Sequence, residues 1–270
     1  YGVLGGFDNI TGGVNVTVTE AGNGVTIGSA ATQAVAAQGN PWNAADNATG
    51  TVKVTETVVS HTSVTVDGGN GVTLNLQGQN AFVGTNTGTA GAQVVNQASV
   101  FTGNGLGLGN GAVTVLGGTT VSVATTGGSV TVGGKATNGS VQVPTGNVTI
   151  TDTFSGGSTG KDVGGANNDA FVVLGGAQVS VNVKNGTSGA ILVGAAPVLN
   201  GSGTAIANLA FNPTGNVTIR NGAGGQNNAV GVPTVFTNGA TTVDIVGNAG
   251  TIADVNSFAN AALTAVGVSA

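Results

Sequence analysis

Short runs in which a branched apolar residue alternates with a small polar one fill most of this sequence, most clearly between Gly111 and Ile150. Alternation with a period of two places the branched residues on one face of a strand and the hydroxyl or amide residues on the other. Gly-Gly, Asn-Gly or Pro-Thr-Gly separates one run from the next, and these are turn-forming residues. The pattern therefore predicts half-buried strands joined by tight turns. The five runs of this stretch contain the pairs Val113/Val115, Val121/Val123, Val130/Val132, Val141/Val143 and Val148/Ile150.

The same pattern continues on both sides of this stretch, and it predicts strands at Val52/Val54 and at Val58/Val59 among others. Most strand centres are about 8 to 12 residues apart, an interval found in β-sandwiches, β-barrels and solenoids. The branched residues are expected to form the core, and the expected core positions include Val121, Val123, Val130, Val132, Val148, Ile150, Val179, Val181, Val217 and Ile219.

Two sequence echoes favour a repeated architecture. PTGNVTI at 144–150 returns at 213–219, and VLGGTTVSV at 115–123 returns as VLGGAQVSV at 173–181. Degenerate repeats of this kind are typical of chains that stack one short unit on the next. We therefore predict an all-β chain folded as an elongated β-solenoid (β-helix), with tandem β-sandwiches as the alternative.

The sequence divides into four segments by composition. Residues 1–28 form an N-terminal strand segment, 29–50 an Ala- and Asn-rich insertion, 51–252 the β-repeat body and 253–270 a C-terminal tail. A short helix is predicted over Ala30 to Ala37, and the tail is either a closing helix or one more strand.

Composition excludes several classes of function. The chain has 270 residues, of which 51 are Gly and only 6% are charged, and its net charge of −5 argues against a nucleic-acid partner. There is no Cys, so no disulfide and no thiolate metal site is expected. No run of about 18 apolar residues occurs, so no membrane span is predicted. Because the sequence begins at Tyr1 and contains no Met, we expect a product of secretion and signal-peptide removal or an excerpt of a longer precursor.

Groups suited to catalysis are few, and we predict that the protein is not an enzyme and needs no cofactor. His61 is the only histidine and Arg220 the only arginine. A Ser60/His61 pair lacks any motif for an oxyanion hole, so His61 is interpreted as an outward strand residue.

The most polar loop contains Asp162, Asn167, Asn168 and Asp169, whose side-chain oxygens are of the type that calcium binds. The repeated G-G-x-G-x-D unit of calcium-binding β-rolls is missing, and the preferred interpretation is a solvated turn.

In its Val/Thr alternation, Gly-Asn turns, lack of Cys and scarcity of charge, the chain resembles bacterial secreted surface proteins of the adhesin and autotransporter-passenger type. The resemblance implies a non-catalytic structural or adhesive role outside the cell or at its surface.

Two functional hypotheses follow. The first is a self-assembling subunit of an extracellular filament or surface layer, because few charges protect strand edges and neither end of the sequence shows a polar cap. A strand containing Val14, Val16 and Val18 is suited to donation to a neighbouring copy, with pairing inside its own subunit as the alternative. The second hypothesis is an adhesin that binds glycans, with Trp42 either stacking on a sugar or packing internally. A β-helical polysaccharide-degrading enzyme is the least supported reading.

Overall fold

The computed structural model describes residues 7–28, 46–60, 62–86, 88–98, 111–153, 169–184, 187, 189–195, 198–199, 205–207, 211–222, 233–236, 242–246, 254–256 and 265–269. These residues contain no α-helix. The strands are β1 (Phe7–Ile10), β2 (Val16–Glu20), β3 (Gly24–Ile27), β4 (Thr51–Glu56), β5 (Ser63–Val66), β6 (Gly71–Leu76), β7 (Asn80–Val83), β8 (Ala92–Gln97), β9 (Val113–Val115), β10 (Thr120–Thr125), β11 (Val130–Val132), β12 (Gly134–Lys135), β13 (Val141–Gln142), β14 (Val148–Asp152), β15 (Phe171–Val173), β16 (Val179–Val183), β17 (Ile191–Val193), β18 (Val198–Leu199), β19 (Ala205–Ala207), β20 (Val217–Asn221), β21 (Pro233–Phe236), β22 (Thr242–Val246), β23 (Asp254–Asn256) and β24 (Ala265–Ser269).

Two long parallel sheets contain twenty of these strands, ten in each. The first sheet has the order β1-β3-β5-β7-β9-β11-β15-β17-β21-β23, and the second has the order β2-β4-β6-β8-β10-β14-β16-β20-β22-β24. Apart from two short antiparallel pairs, β12-β13 and β18-β19, the chain alternates between the sheets and adds each strand beside the previous strand of that sheet. The all-β prediction is confirmed, and this order is consistent with a β-solenoid-like fold. Tandem sandwiches would contain antiparallel sheets instead.

The core lies between the two sheets and is built from rows of identical or similar side chains. In the second sheet Val121 lies beside Val148, and Val148 beside Val179, so one inner row continues from strand to strand. One apolar cluster extends from Val18 to Ile245. All ten core positions that the alternation predicts are buried, which confirms the assignment of the inward face.

The two sequence echoes occupy equivalent places in the fold. Gly117 and Gly118 connect β9 to β10, and Gly175 and Gly176 connect β15 to β16, all four with φ between 84° and 98°. Glycine adopts this left-handed conformation without the steric cost of a Cβ atom. Backbone hydrogen bonds stack these corners, since Gly118 N donates to Thr89 O over 3.1 Å. The repeated PTGNVTI segment leads into β14 in one copy and into β20 in the other, both in the second sheet.

The strand predicted at Val141/Val143 is present only as Val141–Gln142 and lies outside the long sheets, and the strand predicted at Val58/Val59 is absent. Val141 lies in the hairpin β12-β13, which is outside both long sheets, and its side chain is 46% exposed. The turn at Gly139 has a φ of 84°, and the hairpin docks through the N–H of Thr137, which donates to Thr85 O over 2.8 Å. Alternation alone cannot distinguish a strand of the parallel sheets from one arm of such a hairpin. The second error is Val58, which is exposed at a bend after β4.

The C-terminal tail contains two strands, β23 and β24, so the strand alternative holds for its described part. The helix predicted over Ala30 to Ala37 lies outside the described residues, as do Trp42 and His61.

Candidate association surface

The outer edges of β1 and β2 are the first candidate site. β1 pairs with β3 and β2 pairs with β4, and among the described residues no strand pairs with the other edge of either one. A strand edge presents backbone N–H and C=O groups that can pair with another chain. The end of the two sheets is therefore a surface suited to strand addition.

Two carboxyl side chains occupy inner-row positions at this end. In register, Asp8 lies beside Val25 of β3, and Glu20 lies beside Glu56 of β4. Val25 is a core residue, as are the residues at the same position of the row in later strands of the first sheet. Asp8 thus places a charged group in a row that later strands fill with apolar side chains, whereas Glu20 begins a row that is polar on several strands. The N-terminal end of the sheets therefore carries polar side chains, contrary to the expectation of an end without a polar cap.

Hydrogen bonding with the carboxyl group of Asp8 has the largest influence on the pKa of Glu20. A hydrogen bond between two carboxyl groups requires a proton on one of them. The bond from Asp8, followed by burial, raises the pKa of Glu20, while the amide of Asn23 donates to Glu20 Oε2 over 3.3 Å and opposes the rise. Glu20 therefore retains its proton above the pH at which an isolated glutamate loses it.

Glu56 is the third carboxyl group of this cluster and is only 1% exposed. Its Oε2 atom accepts a hydrogen bond from Gly22 N over 3.1 Å, and its Oε1 atom is buried without a partner. Burial raises the pKa of Glu56, and the negative charges of Glu20 and Asp8 raise it further. In the described ranges no group of three or more His, Cys, Asp or Glu side chains is arranged to hold a metal ion.

Several strands of the second sheet have three residues that face inward, and the third of them is often polar. The sequence analysis did not predict this feature. The signal is visible in the alternation, where a polar residue follows two apolar ones at a spacing of two, as in Val217, Ile219 and Asn221. These side chains bind the backbone of neighbouring loops, as when Asn221 Oδ1 accepts from Thr187 N, between β16 and β17, over 2.8 Å. The buried polar residues at this position are Glu56, Gln97, Thr125, Asp152 and Asn221.

The residues predicted for strand exchange do not all lie in one strand. Val14 precedes β2 and is 68% exposed, whereas Val16 and Val18 belong to β2. Within this single chain β2 pairs with β4, with Val16 beside Val52. That pairing corresponds to the within-subunit alternative, and donation to a neighbour stays a prediction.

Asp169 is the one residue of the predicted polar loop that the structure describes, and it is buried. Its Oδ2 atom accepts a hydrogen bond from Gly128 N over 2.6 Å. The solvated-turn interpretation is therefore wrong for Asp169, which fixes the loop before β11. Asp162, Asn167 and Asn168 lie outside the described residues. Arg220 is exposed on β20.

A groove of about 440 Å³ lies beside the corners that precede β4, β6 and β8. The polar residues among those that line it are Asn47, Thr49, Asn70, Thr89 and, from the hairpin β12-β13, Gln142. These groups are neutral hydrogen-bond donors and acceptors.

No family model, curated protein or solved structure matches this chain. In the portion of the chain that the structure describes, no helix is long and apolar enough to cross a membrane.

Proposed function

We propose that the protein is a structural subunit of a self-assembling extracellular filament or surface layer. The two parallel sheets wind as a β-solenoid, and subunits associate where the outer edges of terminal strands meet. An N-terminal strand donated to a neighbour is a variant of the same scheme. The extracellular location is proposed from the resemblance to secreted surface proteins.

The observation that carries this proposal is the continuity of the parallel ladders up to the edges of β1 and β2. Five residues of β2 pair in register with β4, from Val16 beside Val52 to Glu20 beside Glu56. A strand of a second copy could repeat that pairing on the free edge and gain a further set of main-chain hydrogen bonds. End-to-end addition of this type is heterologous, so it extends into an open filament.

The scarcity of charge also supports association. Five basic and ten acidic residues are spread over 270 positions, and the outward residues of β14 are Thr149 and Thr151. Neutral hydroxyl groups lose less hydration energy than charges when another surface covers them. Charged edge residues, which commonly prevent edge-to-edge pairing, are few.

Electron microscopy of the purified chain tests this proposal. Ten strands at a spacing of about 4.8 Å give a subunit length of roughly 48 Å along the stack. Filaments should show strands perpendicular to their axis and a subunit repeat close to that length. Dispersed single particles at every concentration and pH would contradict the proposal.

A second candidate function is glycan binding, and the amide and hydroxyl side chains in the groove beside β4, β6 and β8 favour it. Amide and hydroxyl groups can pair with sugar hydroxyls, and a volume of about 440 Å³ is within the range of small-ligand sites. An array of neutral glycans tests it with the wild type and with Asn70→Ala. Binding that this substitution weakens would support the groove, and an absence of binding to every glycan would exclude it.

A further inference from the structure

The carboxyl groups of Asp8, Glu20 and Glu56 lie at the end of the two sheets where a second subunit would dock. We propose that these three groups form a proton-operated switch on end-to-end association of this chain. In acid Glu20 and Glu56 take up protons and allow a second copy to cover the end of the sheets, and at higher pH they ionise and oppose docking. This inference rests on the proposed function, because it names the regulation of that association.

The contacts of the cluster support proton exchange. Two ionised carboxylates cannot hydrogen-bond to each other, so the influence of Asp8 on Glu20 favours a proton on Glu20. Glu56 lies beside Glu20 in register, and its Oε1 atom is buried without a partner. An unpartnered carboxylate is costly to bury, whereas a protonated carboxyl group is neutral. A docked subunit would deprive Asp8 and Glu20 of solvent, so docking favours the protonated cluster.

No described cation compensates these acids. The titratable groups that face Glu56 are Glu20 on β2 and Asp8 on β1. The flanking strands β3 and β6 have the sequences GVTI and GVTLNL, which contain no titratable side chain. Lys53 is exposed and alternates with Val52 and Val54, so it lies on the opposite face of β4.

The direction of the switch follows from the local environment. The hydrogen bond from Asp8 raises the pKa of Glu20, and burial raises the pKa of Glu56. Both groups therefore gain protons at a pH above the ordinary glutamate range. The change from charged to neutral therefore falls above the pH range in which glutamates without such surroundings ionise.

Sedimentation and light scattering of the full chain between pH 4 and pH 8 test the switch. Wild-type protein should associate at the acidic end and disperse near neutral pH. Glu20→Gln removes one charge from the cluster and should lower the critical concentration for association at neutral pH by about tenfold. Asp244→Asn is the matched control, since it removes one charge from an exposed, outward position of β22 and should leave the wild-type profile unchanged.

The control distinguishes an effect specific to the cluster from an effect of net charge alone, because both variants change the net charge of −5 equally. Identical profiles for the two variants, or association that is independent of pH, would overturn the switch and leave the proposed function standing. Dispersed protein at every pH would overturn both.

Carboxyl carbon resonances of the dispersed chain give a second readout, and titration of Glu56 in the ordinary glutamate range would also overturn the switch. If circular dichroism shows that Glu20→Gln is misfolded, Asp8→Asn replaces it, and the same decrease in the critical concentration for association is expected.

Discussion

Asn86 donates two hydrogen bonds to Asp67, one from its backbone N–H to Oδ1 over 3.0 Å and one from its side-chain amide to Oδ2 over 2.6 Å. Asp67 follows β5 and Asn86 follows β7, which are neighbours in the first sheet. Both residues are buried. The contact therefore joins two successive corners of the stack and fixes their relative position.

Removing this contact should destabilise the protein. Asp67→Ala leaves two buried donors of Asn86 without their acceptor, and we expect a loss of about 3 kcal/mol in the free energy of unfolding. Urea denaturation followed by circular dichroism measures the change. Asp244→Ala, at an exposed outward position, should stay within about 0.5 kcal/mol of the parent. Equal midpoints for the two variants would show that the corner contact contributes no stability.

The inward face of the second sheet gives a second prediction. Val181 is fully buried between Ile150 and Ile219 of the neighbouring strands, so Val181→Asp places an unpaired charge in the core. We expect a loss of about 4 kcal/mol or more in the free energy of unfolding. Asn182→Asp introduces the same charge one residue later, on the exposed face, and should melt close to the parent. Parent-like melting of Val181→Asp would reverse the assignment of the two faces.

A comparison of two glycines distinguishes the energetic cost of crowding between stacked corners from the cost of the left-handed backbone conformation. Gly12 and Gly91 have φ angles of 70° and 68°. A Cβ atom at Gly12 meets nothing within 4 Å, whereas one at Gly91 collides with the backbone carbonyl of Asn70 in the adjacent corner. Gly12→Ala should cost about 1 kcal/mol for the left-handed conformation. Gly91→Ala should cost about 2 kcal/mol more, because the stacked backbone must move. Thermal melting of both variants measures the difference, and equal losses would exclude a packing role for this corner.

The alternation in the sequence predicted which residues of each strand face the core, because packing between two sheets buries only one side of every strand. Sequence reasoning did not find the cluster of Asp8, Glu20 and Glu56, since the three residues belong to different strands and come together only through register. The number of residues between paired positions varies along the stack, so the local pattern does not reveal which residues become neighbours. Val141 shows the same limit, because its run alternates like the others but pairs in a hairpin.

The stability of the N-terminal end should depend on pH through Glu56. Burial raises the pKa of Glu56 in the folded chain above its value in the unfolded chain. The folded state therefore binds the proton more tightly, and this contribution to stability is complete at low pH and is lost as the pH rises through the folded pKa. Glu56→Gln keeps an acceptor for Gly22 N and removes the titration. Melting temperatures at pH 4.5, 6 and 7.5 should therefore fall less steeply in the variant than in the parent. Parallel curves would contradict the assignment.

Deletion of residues 1–20 distinguishes edge-to-edge docking from strand donation. In the structure β2 pairs with β4 of its own chain, and each strand of a stack depends mainly on its immediate neighbours. Loss of β1 and β2 should therefore leave the later strands folded and make β3 and β4 the new end of the sheets. We expect circular dichroism of the truncated chain to retain the β signal and electron microscopy to show continued association. Association should also depend less on pH, because Asp8 and Glu20 are gone while Val52 and Val54 lie at the new edge. A folded monomer that no longer associates would instead identify residues 1–20 as a donated arm.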